Sequence, residues 1–448
     1  MSPENHVRST SEHPASPSPT HGPRRLRSVL GVGASAALAL LLVGCAGSAG
    51  GGAGGGGQSG GEGFAFGAPQ EEVDALIADL EPVTLVFQPG ASGPNSPTAQ
   101  NANKLIEAIE TRSGGKIDVQ PAWGQSIAPH AEVEDALVDG RIDLAFEAAV
   151  YFPEEFPVMD AYNKITQYSP ASPMAGEAIN QAIMAEWGWN SEELLEEFES
   201  KGLTPLSALM VSGDYWTACT SPGSSLDDWS GRIMRIAGSA HAAIVPALGA
   251  SPVSLEYPET FEALERSTVD CTFVQPQVAG STGIMTAAPH LAHFANARMT
   301  GSATAAHLLG SKWETLPLAY QQIIFDASLD EFEGNILNTV DAGLQAVVDA
   351  KSSGGTITEF DPEAERTISE VQDQLVQDLI DEGRLPEDVI EQMTALSDKW
   401  EGIVQEDLGI TDGGTLEDFD EWYAPGDIDF RPYAERVFDE VILPHRPE

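Results

Sequence analysis

Arg235 carries the most pointed chemistry in this chain. It sits in the middle of Gly231-Arg232-Ile233-Met234-Arg235-Ile236, flanked by apolar residues in a short alternating strand. A guanidinium among apolar side chains is costly unless an anion meets it. That anion is either a carboxylate of the core or a carboxylate of a ligand. The planar fork of arginine suits both. Other reactive patterns are weaker. Gly57-Gln58-Ser59-Gly60-Gly61 satisfies G-x-S-x-G, but a nucleophile elbow needs an apolar strand before it and a helix after it, and neither is present. The nine histidines contain no HExxH; three precede Cys45, and His241, His290, His293 and His307 are dispersed among apolar residues, as structural histidines are. With 69 Asp and Glu, no carboxylate pair stands out as a general acid and base. No catalytic residue, metal site or cofactor is expected.

Cys45 points to a different chemistry. It ends Leu42-Val43-Gly44-Cys45, after an apolar run from Val29 to Val43 that lies behind Arg24, Arg25 and Arg27. The run is about 15 residues long, short of the roughly 20 that span a bilayer, and it closes on small residues as a secretory h-region does. Residues 1–44 are therefore expected to be a lipoprotein signal peptide, with Cys45 carrying lipid at the outer membrane face. Residues 45–63 are almost entirely Gly, Ala and Ser, a flexible tether. Cys219 and Cys271 remain as an even pair in a compartment that permits disulfides, and they are expected to be bonded.

Net charge is -47, from 22 basic and 69 acidic residues. Nucleic acid and anionic lipid surfaces are thereby excluded as partners, leaving the lipid anchor as the expected contact with membrane. Four of the basic residues precede Cys45, so 18 remain for the folded body. In so negative a field an anionic ligand needs a local cation.

The elements that must position Arg235 follow from a repeat. Glu132 to Phe146 reads EVEDALVDGRIDLAF and Glu259 to Phe273 reads ETFEALERSTVDCTF. Glu, Ala, Leu, a β-branched residue, Asp and Phe recur at matching offsets. Each window opens as a helix, breaks, and enters a strand, the back half of a βαβ unit. Two such half-units so far apart imply two α/β lobes. Around them, Val83 to Phe87, Lys116 to Ala122, Leu206 to Val211, Trp216 to Thr220 and Arg232 to Ile236 read as strands, the last three joined by short turns. Ala99 to Thr111, Ala175 to Leu195 and His241 to Leu248 read as helices. Ala319 to Val348 reads as one long helix, and Glu363 to Asp407 as helix broken near Gly383 and Pro386. The expected division is 64–206 for the first lobe with part of 297–350, 207–296 for the second with part of 351–409, and 410–448 as an acidic C-terminal extension without an assigned role.

The run from Gly231 to Phe273 resembles the solute-binding proteins of tripartite ATP-independent periplasmic (TRAP) transporters. It carries G-x-x-x-R with Ile233 where lysine is usual, then Leu-Gly-Ala-x-Pro-Val, Glu-x-Phe-x-Ala-Leu and Val-Asp. Ser113-Gly114-Gly115-Lys116-Ile117, the Asp139 to Phe146 segment and Ser311-Lys312-Trp313 extend the likeness over roughly 82–353. The resemblance implies a two-lobed periplasmic-binding-protein-like α/β fold, joined by hinge strands and a long helix, that closes over a small organic carboxylate. It implies that Arg235 makes the salt bridge to that carboxylate and that membrane transporter subunits are the partner. It also places Glu147 near a ligand position, able to accept from a hydroxyl or amine, and Tyr215, Trp216 and Gln275 where other members hold specificity residues. Gln88, Trp123, Tyr151 and Phe273 are further candidates at strand ends. The absence of a second arginine near Gly213-Asp214-Tyr215-Trp216 speaks against simple four-carbon dicarboxylates. The expected function is an extracytoplasmic, lipid-anchored solute-binding protein. The alternatives are a surface sensor that signals to a kinase and a tethered hydrolase.

Overall fold

The computed structural model describes residues 61–295 and 297–448. Cys45, the signal segment and Ser59 lie outside them. Among the described residues no helix is long and apolar enough to cross a membrane.

Two mixed sheets organise the chain. The first contains β1 (Val83–Gln88), β2 (Ile117–Pro121), β3 (Leu144–Glu147), β4 (Thr204–Val211) and, from later in the chain, β10 (Ala303–Leu309), in the order β2-β1-β3-β10-β4. The second contains β5 (Trp216–Cys219), β6 (Ile233–Ile236), β7 (Ser251–Ser254), β8 (Cys271–Val274), β9 (His290–His293) and β11 (Ile357–Glu359), in the order β11-β9-β5-β8-β6-β7. Apart from β11 the two orders correspond strand for strand. In each sheet the outer three strands are parallel and the fourth enters antiparallel. That is the two-lobed α/β architecture the repeat implies.

The repeat itself does one physical job twice. Asp143 donates its N–H to the Val86 carbonyl at 2.9 Å, and its Oδ2 accepts the Val86 N–H at 2.8 Å. Asp270 treats Ile233 identically, with both bonds at 2.8 Å. Each aspartate thus closes the parallel ladder before its own strand begins, satisfying backbone groups that the strand end would leave open. Upstream, the same offset holds the left-handed residue that ends the helix: Gly140 at φ 78° in one lobe and Ser267 at φ 52° in the other. Glycine adopts that conformation freely, whereas serine carries a steric cost there.

Several expected elements differ in detail. The helix from Ala175 stops at Trp189, and a second one, Glu192–Ser200, starts under the Ser191 cap, whose Oγ accepts from the Leu194 N–H. The long helix is two, Leu318–Asp326 and Ser328–Ser352, separated by a turn at Ala327. The strand over Leu206 to Val211 belongs to the first sheet, so a boundary at 206 would cut β4; the chain passes between sheets at 212–215. β5 and β6 are not neighbours either, because β8 lies between them.

The crossing region is tied by buried charge. Asp214 Oδ1 accepts from the N–H of Tyr215 and of Met299, which belongs to the returning segment between β9 and β10. Glu177 accepts the Asp214 N–H and pairs at 3.3 Å with Arg298, which is 0% exposed. Helix Ser328–Ser352 packs against helix Gln100–Arg112 of the first lobe and helix Pro276–Ala279 of the second. The C-terminal residues form a strap rather than a loose extension. Phe419, Phe430, Tyr433 and Phe438 are buried, the Tyr433 hydroxyl donates to the Ala178 carbonyl, and Arg446 pairs with Asp326.

Cys219 and Cys271 face each other across β5 and β8 and are bonded, with Cα atoms 4.1 Å apart. Closing a loop with a sequence separation of 52 restricts the unfolded chain by about 4 kcal/mol in the chain-entropy picture. Replacing both cysteines by alanine is expected to lower unfolding free energy by ~2–4 kcal/mol, read from denaturant melts. Conversely, Ser267→Gly is expected to raise it by ~0.5–1 kcal/mol, and a loss would show that the serine is not strained.

Candidate ligand-binding site

β6 places Arg235 between β7 and β8, opposite Val253 and Thr272. The guanidinium is 0% exposed. Nε donates to the Leu255 carbonyl at 2.7 Å, Nη1 to the Phe273 carbonyl at 3.4 Å and Nη2 to the Tyr151 hydroxyl at 3.4 Å. The Tyr257 ring lies against it, 3.8 Å from guanidinium carbon to ring centroid. No carboxylate of the described residues pairs with it.

Tyr151 and Tyr257 also line a cavity of about 440 Å³ between the lobes. From the first lobe come the Gly90 to Ser92 loop after β1, Gln125, His130 and Phe146; from the second come Phe261, Gln275, Gln277 and Val278; Ser212, Thr304 and Asn335 lie at the crossing. Tyr151 bridges the lobes: its oxygen accepts from Arg235 and also from the Tyr257 N–H at 3.3 Å. Tyr257 begins helix Tyr257–Glu265, with Pro258 in the first turn, where a missing N–H is harmless.

Of the residues singled out from sequence, Tyr151 and Gln275 line the cavity, and Arg235 lies behind its wall against Tyr151 and Tyr257. Gln275 is 2% exposed and its Nε2 lacks a partner among the described residues. Tyr215 is fully buried near Arg235, its ring edge-on to His241 at 4.3 Å, and Phe273 stacks on the other side of that histidine at 4.6 Å. Both support the arginine without lining the cavity. The others are elsewhere. Trp216 is core, facing Gly343 of the long helix. Gln88 is used up by its own lobe, accepting from the N–H groups of Ile127 and Ala128 and donating to the Ala128 carbonyl. Trp123 lines a separate surface groove with Ile106 and Pro121.

Glu147 is not in the cavity wall. Successive residues of a strand face opposite ways, and here Phe146 takes the cavity side. Glu147 is 1% exposed behind it, and neither carboxylate oxygen accepts a well-formed hydrogen bond among the described residues. Burial, with Glu134 and Glu155 nearby, pushes its carboxyl up to about 8. Sequence reading missed His130 and Tyr257. Tyr257 stands two residues before the repeated window, and the helix start that the window announces was the available signal. For His130 no spacing pattern exists; only the fold brings it to Tyr151, with ring centroids 5.6 Å apart.

Residues 90–382 match the family described as bacterial extracellular solute-binding protein, family 7. The C4-dicarboxylate-binding periplasmic protein DctP of Rhodobacter capsulatus is 29% identical over 203 residues, which cover 44% of this chain and 57% of that protein. Among solved structures, the sugar acid binding protein of Advenella mimigardefordensis strain DPN7T in complex with galactonate superposes with a TM-score of 0.60 at 19% identity, over 72% of this chain and 100% of that one. A TRAP periplasmic solute-binding protein of Shewanella oneidensis with bound succinate gives 0.56 at 19%, over 70% and 99%. At these identities the two structures show a shared fold.

The pH dependence of Glu147 is testable. Its folded value of about 8 exceeds the ordinary 4.5. The folded protein therefore keeps a proton that the unfolded chain has released, and stability falls as pH rises through that window. Glu147→Gln is expected to flatten thermal stability between those pH values and to add ~1–3 kcal/mol at the upper end. An unchanged slope would show that the carboxylate finds a partner.

Proposed function

Because the chain belongs to family 7 of the bacterial extracellular solute-binding proteins, we propose that it captures a small organic carboxylate on Arg235 and delivers it to the membrane subunits of a TRAP-type importer. The observation that carries this reading is the buried guanidinium with no carboxylate partner among the described residues, beside a cavity whose walls come from both lobes. A core ion pair would have satisfied the charge internally; neutral carbonyls and tyrosines leave it able to take an anion. A ligand carboxylate approaching from the cavity replaces the long contact from Nη2 to Tyr151 with a charge-assisted pair.

Relatives support the ligand class. The solved proteins hold galactonate in one case and succinate in another, and both are carboxylates. The site works by binding and release, without catalysis. Ligand that touches Arg235 in one lobe and Tyr151 in the other favours the closed arrangement of the two. Cys45, by its sequence context, carries the lipid that holds the protein at the outer membrane face.

Isothermal titration against mono- and dicarboxylates, keto acids and sugar acids checks the site. Arg235→Ala is expected to weaken binding of the preferred acid by about 2–5 kcal/mol, and Arg235→Lys to recover only part of it. Without ligand, Arg235→Ala is expected to unfold at the parent's temperature or above, since an unpaired buried charge is removed. Unchanged affinity in Arg235→Ala would overturn the assignment.

A further inference from the structure

Among the described residues, the wall of the cavity contains no Lys, Arg, Asp or Glu. Its polar groups are neutral hydroxyls, amides and one imidazole, set among the rings of Phe146, Tyr151, Tyr257 and Phe261. Two wall residues hold polar nitrogens that are buried and have no partner among the described residues: Gln275 Nε2 and His130 Nδ1. The Gln125 amide nitrogen donates to His130 Nε2 at 2.9 Å, so the neutral ring carries its proton on Nδ1. Burial keeps that ring neutral, lowering it to about 4. Both orphaned groups are therefore uncharged donors, and each calls for an oxygen acceptor.

Resting on the carboxylate reading of Arg235, we infer that the ligand is a hydroxylated monocarboxylate: one anionic end for the arginine and a chain of neutral oxygens for the rest of the cavity. A second carboxylate would enter a wall with no cation to meet it, next to aromatic faces, and would lose its hydration without compensation. An unsubstituted alkyl acid fails differently. It would satisfy Arg235 but cover the Gln275 and His130 donors with methylenes, and a site built to hydrogen-bond a substrate discriminates strongly against analogues lacking those groups. Hydroxyls along the chain accept from both donors, while its C–H faces pack on the rings.

Titration of the full-length protein, stripped of co-purified ligand by unfolding and refolding, with three six-carbon acids tests this: gluconate, adipate and hexanoate. Gluconate is expected to bind at least about tenfold more tightly than either other acid, and Arg235→Ala to abolish its binding. Gln275→Leu is expected to reduce the advantage of gluconate over hexanoate, weakening gluconate and tightening hexanoate, since the donor that methylenes leave unpaired is gone; a thermal melt without ligand confirms that this variant folds. Adipate or hexanoate binding as tightly as gluconate, still lost in Arg235→Ala, would overturn the hydroxylated class and leave the carboxylate site standing. No binding of any of the three to the parent would overturn the hydroxylated class, and the carboxylate site would then be decided by the wider acid panel with Arg235→Ala.

Discussion

The rest of the structure is arranged around a positive charge held in the interior without an internal counter-charge. The chain is rich in acid, and most of its described cations find a carboxylate: Lys104 with Glu333, Lys312 with Asp143, Lys399 with Glu186, Arg431 with Asp330. Among the described residues two arginines are fully buried, Arg298 and Arg235. Arg298 pairs with Glu177 and locks the crossing between the sheets. Arg235 is kept from every carboxylate of the described residues. With so many acids available, a buried arginine surrounded by tyrosines and carbonyls is the arrangement that the proposed capture of an outside anion requires. It is held by three neutral contacts and a ring face, which soften the desolvation of the charge without neutralising it.

How the fold supports that charge is visible in its internal symmetry. The Asp143 and Asp270 closures put β1 and β6 in equivalent places, and the registers then align Gln88 with Arg235: Gln88 opposes Ala145, and Arg235 opposes Thr272, each one residue beyond the strand start. One scaffold position thus serves two purposes. In the first lobe the polar side chain turns onto its own backbone and fixes the loop at 127–128, two residues before His130. In the second lobe the same position points its charge toward the inter-lobe space.

That symmetry also explains what could be read from residues alone. The two lobes, the cysteine pair and Arg235 were legible because each depends on local pattern: a repeated helix-to-strand signature, an even cysteine count, a charged residue inside an apolar strand. Glu147 was misplaced because a position one residue past Phe146 lies on the opposite face, and only the register of β3 against β10 shows which face meets the cavity. Trp216 and Trp123 looked suited to ligand contact, yet one is covered by the long helix and the other lies on an outer groove. The cavity wall takes one or two residues from each of many segments, so no spacing in the sequence announces it. The C-terminal strap was unreadable for a similar reason: its aromatic residues have no periodicity of their own and are ordered by helices Ala175–Trp189 and Ser328–Ser352 beneath them.

Tyr151 shows why the lobes and the charge belong to one argument. It follows β3 in the first lobe, yet its oxygen accepts two hydrogen bonds from the second, from Arg235 and from the Tyr257 backbone. Both contacts are longer than 3.2 Å, weak for hydrogen bonds and weaker than a charge-assisted pair to a carboxylate. These contacts hold the two walls of the cavity face to face and, on the proposed reading, are weak enough for a carboxylate to displace. Its oxygen acts as acceptor in both contacts, so the hydroxyl proton remains free to be donated. A carboxylate that takes the Nη2 donor from Tyr151 finds in that O–H a hydrogen bond from the opposite lobe. On the proposed reading of Arg235, capture of the anion exchanges a neutral contact between lobes for one that passes through the ligand.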